Sequence, residues 1–141
     1  MAVFKRSTNM RHIANRKPTV VVADDHRATV AIVAKLVSRD FEVLASVNDG
    51  IQALQAVEEL HPDLVVLDVG MPGIDGFETA RRIRQRALPT RIVFLTIAED
   101  SDYAQTASEL GGCYVVKRRM HSDLLTAAAE ALAGRLFLSP I

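Results

Sequence analysis

Five short runs of apolar, largely β-branched residues recur along this 141-residue chain, and each is followed by a stretch whose apolar residues repeat at helical spacing. The runs are TVVVA (19–23), FEVLASV (41–47), LVVLD (64–68), RIVFLT (91–96) and CYVVK (113–117). TVVVA shows no polar alternation, so it reads as a strand buried on both faces. After it, Asp25 is expected to cap a helix carrying Val30, Val33, Ala34 and Val37 on one side. Asn48-Asp49-Gly50 ends the second strand, and IQALQAVEEL (51–60) is a helix stopped at His61-Pro62. The stop follows because a residue before proline is pushed out of the α region. GFETARRIRQRA (76–87), DSDYAQTASEL (100–110) and SDLLTAAAEALAG (122–134) supply three more helices. The last has Ser122 as its expected cap and Gly134 just past its end. Strands alternating with helices through short loops specify an α/β fold, a parallel sheet covered on both faces.

The length suits one domain with a substantial core. Residues 1–18 carry Lys5, Arg6, Arg11, Arg16 and Lys17 without an acid and read as a flexible basic arm. The remainder then holds 12 basic against 17 acidic side chains, a poor balance for a general nucleic-acid binder. Cys113 is the only cysteine and cannot form an internal disulfide, which fits a reducing cytoplasm. No apolar run reaches the length of a membrane span, and the N-terminus has no secretory apolar core.

In doubly wound sheets the ligand site lies outside the carboxyl ends of the strands. At those ends stand Asp24-Asp25, Asp68, Thr96 and Lys117. Each has a plain reading alone: a helix cap, a strand hydroxyl, a solvated lysine. Jointly they place three carboxylates on one edge, and clustered carboxylates repel unless positive charge compensates them. Lys117 is one such charge and a divalent metal the natural second. The candidate ligands are hard oxygens, which suit Mg²⁺ and not zinc. Asp68, opening into the loop of LVVLDVGMPGIDG, then reads as a carboxylate nucleophile of the kind that forms aspartyl phosphates. Metal, Lys117 and the Thr96 hydroxyl would neutralise the transferring phosphoryl group. Gly70 suits close approach of its carbonyl, having no side chain.

Asp24-Asp25, LVVLDVGMPGIDG, FLT and YVVK together resemble the receiver domain of two-component response regulators, over roughly Thr19 to Gly134. The resemblance implies a flavodoxin-like (βα)5 fold with strand order 2-1-3-4-5. It implies that Asp68 accepts phosphate from a sensor histidine kinase, while Asp24, Asp25, Asp68 and the Gly70 carbonyl hold Mg²⁺. It also implies that Thr96 and Lys117 contact the phosphoryl group and that Tyr114 is the switch aromatic, biasing the face of helix four, strand five and helix five. GRLFLSP resembles the junction into a helix-turn-helix DNA-binding output domain, so residues 135–141 are expected to start a linker. The chain is then either part of a longer transcription regulator or a stand-alone receiver, and homodimer formation is left open. Two departures stand out: Ile97 follows the hydroxyl where a small residue is usual, and Arg118 follows Lys117 where proline is frequent.

Other signals have plainer readings. Arg81, Arg82, Arg84 and Arg86 are expected to be a solvated helix face, and Cys113 an inert small hydrophobe. His26 follows the acidic pair and has two readings, a group that tunes phosphorylation and, by default, a first-turn helical residue, while Arg118 and Arg119 leave partner binding open. The apolar face of the last helix, Leu124, Leu125, Ala128 and Leu132, is core first and a dimer contact where exposed. A haloacid-dehalogenase-type phosphatase needs a second acid two residues after its nucleophile, where this chain has Gly70. A nucleotide switch needs a Gly-Lys-Ser/Thr loop that is absent here. The remaining rival is a pseudo-receiver that acts by protein contact without phosphorylation.

Overall fold

The computed structural model describes residues 16–141. Most of the basic arm, residues 1–15, therefore lies outside the described residues. In chain order the elements are β1 (Thr19–Ala23), α1 (Arg27–Val37), β2 (Glu42–Val47), α2 (Gly50–Leu60), β3 (Leu64–Asp68) and α3 (Gly76–Gln85). They continue with β4 (Arg91–Thr96), α4 (Ser101–Glu109), β5 (Cys113–Val116), a 3₁₀ turn (Lys117–Arg119) and α5 (Met120–Leu132). All strands pair in parallel in the order β2-β1-β3-β4-β5, the doubly wound flavodoxin-like arrangement.

Strand alternation sends side chains to two separate cores. Val21, Ala23, Val65 and Leu67 pack with α2, α3 and α4, while Val20, Val22, Leu64 and Val66 pack with α1 and α5. On α5, Leu124 and Ala128 are buried, and Leu125 and Leu132 are half-buried. Because β1 and β3 are neighbours with Ala23 opposite Leu67, the residues that follow on each strand arrive side by side at the carboxyl edge.

Several element ends differ from the sequence expectation. Asp25 does not cap α1; His26 is the N-cap and makes no side-chain cap bond. Lys117 lies past the end of β5, in the 3₁₀ turn that carries the chain into α5 two residues before Ser122. The Ser122 hydroxyl donates back to the Arg119 carbonyl instead of capping the helix. Helix α3 stops at Gln85 because Ala87 takes a left-handed conformation, φ 54°. No peptide bond among the described residues is cis, the one after Lys117 included.

The segment 135–141 follows the free edge of β5. Tyr114 N–H donates to the Phe137 carbonyl at 2.8 Å, and Ser139 N–H donates to the Tyr114 carbonyl at 2.8 Å. Leu138 thus bridges to Tyr114 in parallel register and covers backbone groups that an edge strand would leave unpaired. Among the described residues no helix is long and apolar enough to cross a membrane.

Candidate functional site

Adjacent strands β1 and β3 deliver Asp24 and Asp68 to one point, and both side chains are buried. Lys117 reaches them from beyond β4. Its Nζ lies 2.9 Å from Asp24 Oδ2 and 3.4 Å from Asp68 Oδ1. The Gly70 N–H donates to Asp68 Oδ1 at 3.2 Å, and the His26 N–H donates to Asp24 Oδ1 at 2.9 Å. Asp25 stands at the rim with its side chain 27% exposed.

One ammonium does not balance two buried carboxylates. Burial first, and then the Asp24 charge, push the Asp68 carboxyl up from its usual 3.8 to about 6. Lys117 and the Gly70 N–H pull the other way without prevailing. The deficit is one of positive charge, and a cation would fill it. Ligand atoms of Asp24, Asp25, His26 and Asp68 all lie within 4.8 Å of one another. Asp24 Oδ2 is buried and accepts no hydrogen bond, although the Lys117 ammonium is close by. This donor set fits a hard divalent ion, which takes one or two carboxylates and keeps waters in the other positions.

Thr96 ends β4 at the same sheet edge and Tyr114 lies in β5, and both hold the loop from β4 to α4. Thr96 is buried, and its Oγ1 accepts from the Ala98 N–H at 3.1 Å. The Tyr114 side chain is buried, its phenol donating to the Ala98 carbonyl. Neither hydroxyl hydrogen-bonds to the acidic cluster. Ile97 is 82% exposed and lines a cleft of about 610 Å³ with Gly70, Met71, Thr96 and Tyr103. Its side chain is largely in solvent. A Cβ on Gly70 would meet only Asp68 Oδ1, at 4.0 Å, so the site uses that residue's backbone and not its lack of a side chain. Next to Asp68 the sterically demanding glycine is Gly76, where a Cβ would come within 2.4 Å of the Asp68 carbonyl oxygen.

Comparison with known proteins shows the family. The family model "Response regulator receiver domain" matches residues 20–130. The chain belongs to the response regulator receiver family. The receiver is 34% identical over 131 residues to the nitrate/nitrite response regulator protein NarL of Escherichia coli K12, covering 90% of this chain and 61% of NarL. It is 30% identical over 112 residues to the DNA-binding transcriptional activator EvgA of the same organism, covering 79% of this chain and 55% of EvgA. The crystal structure of a LuxR-family two-component response regulator from Aurantimonas sp. SI85-9A1 superposes with a TM-score of 0.82 at 31% identity. That superposition covers 88% of this chain and 91% of the other. The receiver thus spans little more than half the length of the curated relatives it matches.

Residues outside the expected site set also contribute to the receiver's site. Ala98 offers only its backbone, so no side chain marks it in the sequence. His26 joins the acidic cluster, with Nδ1 3.2 Å from Asp25 Oδ1, as its adjacency to Asp24-Asp25 allows, though its default reading is a helical residue. The arginines of α3 and its C-cap all have partners within the receiver. Arg81 and Arg82 pair with Glu78, and Arg86 pairs with Glu58. Arg84 is no solvated residue: it donates to the Leu110 and Thr90 carbonyls. Arg118 forms a two-pronged pair with Glu99, and Arg119 with Asp123. Cys113 is buried, with its thiol against the Arg135 carbonyl, and burial pushes its ionisation up.

Proposed function

We propose that this receiver is a phosphorylation-activated switch in which Asp68 takes a phosphoryl group from the phosphohistidine of a sensor histidine kinase and so controls a transcriptional output. The observation that supports it most is the buried Asp68 carboxylate, at a strand end and 3.4 Å from the Lys117 ammonium. In this reading an Asp68 carboxylate oxygen attacks phosphorus, and the new O–P bond forms as the P–N bond to the kinase imidazole breaks. The electron pair of that bond stays on the imidazole nitrogen. Lys117 offsets charge on the phosphoryl oxygens. The Thr96 hydroxyl, which only accepts a hydrogen bond from Ala98, keeps its own proton to donate. Asp24, Asp25, Asp68 and the Gly70 carbonyl would hold Mg²⁺, which when bound neutralises the developing phosphoryl charge.

The readout in this proposal is the face of α4, β5 and α5. A Thr96 hydroxyl drawn toward a phosphoryl group gives up Ala98, the residue that Tyr114 also holds. The names NarL and EvgA, a response regulator and a DNA-binding activator, support a DNA-binding output domain in the full-length protein. On this reading the chain is a cytoplasmic phosphoacceptor that promotes only its own phosphotransfer and dephosphorylation.

Intact mass after incubation with Mg²⁺ and acetyl phosphate tests the proposal. One added phosphoryl group on the wild type and none on Asp68→Asn is the expected result. No addition to the wild type, together with no Mg²⁺ binding, would make the protein a pseudo-receiver.

A further inference from the structure

We propose that His26 is a nitrogen ligand of the metal site and biases it toward a first-row transition ion, Mn²⁺ in particular, over Mg²⁺. The inference rests on the reading above that the acidic cluster holds a divalent cation, and it adds a donor of different chemistry. His26 occupies the N-cap position of α1 but caps nothing with its side chain, so the helix does not use the imidazole. Its backbone N–H is tied to Asp24 Oδ1, which fixes the residue against the cluster. From there Nδ1 comes to 3.2 Å from Asp25 Oδ1 and 3.5 Å from Asp24 Oδ1. Neighbouring donors around an octahedral ion with bonds of about 2.1 Å stand about 3 Å apart, so these separations are near those of adjacent ligands.

The side chain is 70% exposed, so nothing packed around it has to move for the ring to turn onto an ion at the rim. On the inner side of the same site the single Lys117 ammonium, 2.9 Å from Asp24 Oδ2 and 3.4 Å from Asp68 Oδ1, is the only cation set against these two buried carboxylates among the described residues. Mg²⁺ takes oxygen ligands and parts reluctantly with water, whereas Mn²⁺ accepts carboxylates and water and stays compatible with an imidazole. Three carboxylates and one imidazole therefore discriminate between the two ions where carboxylates alone would do so weakly. Ligation through Nδ1 leaves the Nε2 proton facing solvent.

The test is titration calorimetry of Mg²⁺ and of Mn²⁺ on the wild type, His26→Ala and His26→Gln at one fixed pH, with pulsed electron paramagnetic resonance of the Mn²⁺-loaded proteins. The wild type should show coupling of Mn²⁺ to an imidazole nitrogen, and both variants should lack it. The ratio of Mn²⁺ to Mg²⁺ affinity should fall about tenfold in both variants, while Mg²⁺ affinity stays within about threefold of wild type. An unchanged ratio, or nitrogen coupling that is absent from the wild type or persists in His26→Ala, would overturn the inference. If Mg²⁺ still binds in that case, the phosphoacceptor reading stands without it. If neither ion binds the wild type, both fall.

Discussion

Thr96 and Tyr114 hold the same residue from its two ends: the Thr96 hydroxyl accepts from the Ala98 N–H, and the Tyr114 phenol donates to the Ala98 carbonyl. The hydroxyl of β4 and the aromatic of β5 thus communicate through one residue of the β4–α4 loop, each holding the peptide group on one side of its Cα. A change at either hydroxyl frees one of the two peptide groups that flank Ala98.

Tyr114→Phe should therefore loosen the loop without disturbing the core, because the ring itself is buried. The Ala98 carbonyl and the Asp100 N–H would both lose the phenol oxygen as a partner. A net loss of about 1 kcal/mol in urea unfolding is expected. Amide exchange should quicken at Ala98, Glu99 and Asp100 and stay unchanged in β1 and β3. Uniformly faster exchange would show that the phenol supports the whole domain and not the loop.

Asp68→Asn should stabilise the metal-free protein at neutral pH. The folded carboxyl is raised to about 6 from its usual 3.8, so the native state holds this proton more tightly than the unfolded chain. Stability from this group is then complete below 3.8 and is lost as pH rises toward about 6. Asparagine carries no charge to desolvate, and Lys117 keeps its ion pair with Asp24. A gain on the order of 1–3 kcal/mol is expected at neutral pH, vanishing in acid. Added Mg²⁺ should raise the wild-type Tm at neutral pH, EDTA should reverse the rise, and the variant should respond less. A variant less stable than wild type at neutral pH would contradict the charge argument.

The sequence revealed what depends on side-chain pattern and concealed what depends on backbone. Strands such as TVVVA and LVVLD were legible because both faces are buried, which forces an apolar run. Asp24, Asp68, Thr96 and Lys117 could be grouped because parallel strands end on one edge, and the structure brings the first two and Lys117 into contact. Ala98 and Gly76 were not legible, since one contributes only peptide groups and the other only the space that lets α3 start against Asp68. Asp25 looked like a cap because aspartate so often is one. Here the chain turns one residue later and leaves its carboxylate at the rim of the acidic cluster. The pairing of Phe137 to Ser139 with β5 has no signature either, being a single bridge in a polar-ended segment.

Ala87→Gly should stabilise the protein. Ala87 sits at φ 54° on an exposed turn, where Leu88 N–H donates back to the Ile83 carbonyl at 3.2 Å and closes α3. A Cβ in that left-handed conformation costs roughly 1–2 kcal/mol, and glycine returns part of it as unfolded-state entropy. The net expectation is a gain of about 0.5–1 kcal/mol, read as a higher urea midpoint with an unchanged slope. Ala87→Val should move the midpoint the other way. If glycine lowers the midpoint, the turn is not strained in solution.

The tail that follows α5 is held by a buried acid, and its stability should follow the charge on that acid. Asp123 accepts from Ser139 Oγ at 2.8 Å and from Arg119 Nε at 2.8 Å, and Ser122 Oγ, whose one proton is shared with the Arg119 carbonyl, lies 3.1 Å away. Ser139 Oγ in turn accepts from the Val116 N–H at 3.2 Å. Burial alone would push the Asp123 carboxyl up, but the bonds from Arg119, Ser139 and Ser122 outweigh it and hold the carboxyl below its usual range. A depressed carboxyl contributes stability above its unfolded value of 3.8, and that contribution is lost as pH falls through the lower folded value. Ser139→Ala leaves the buried Val116 N–H without a partner and should cost about 1–3 kcal/mol at neutral pH. Asp123→Asn should cost at least as much there, because Arg119 loses its counter-charge, and its penalty should shrink as the solution is acidified past the wild-type carboxyl. Amide exchange at Val116 and Ser139 should quicken in both variants, since that edge of β5 then opens to water. A penalty for Asp123→Asn that does not change with pH would mean that the carboxylate charge contributes nothing to holding the tail, leaving only the shape of the hydrogen-bonded cluster to do so.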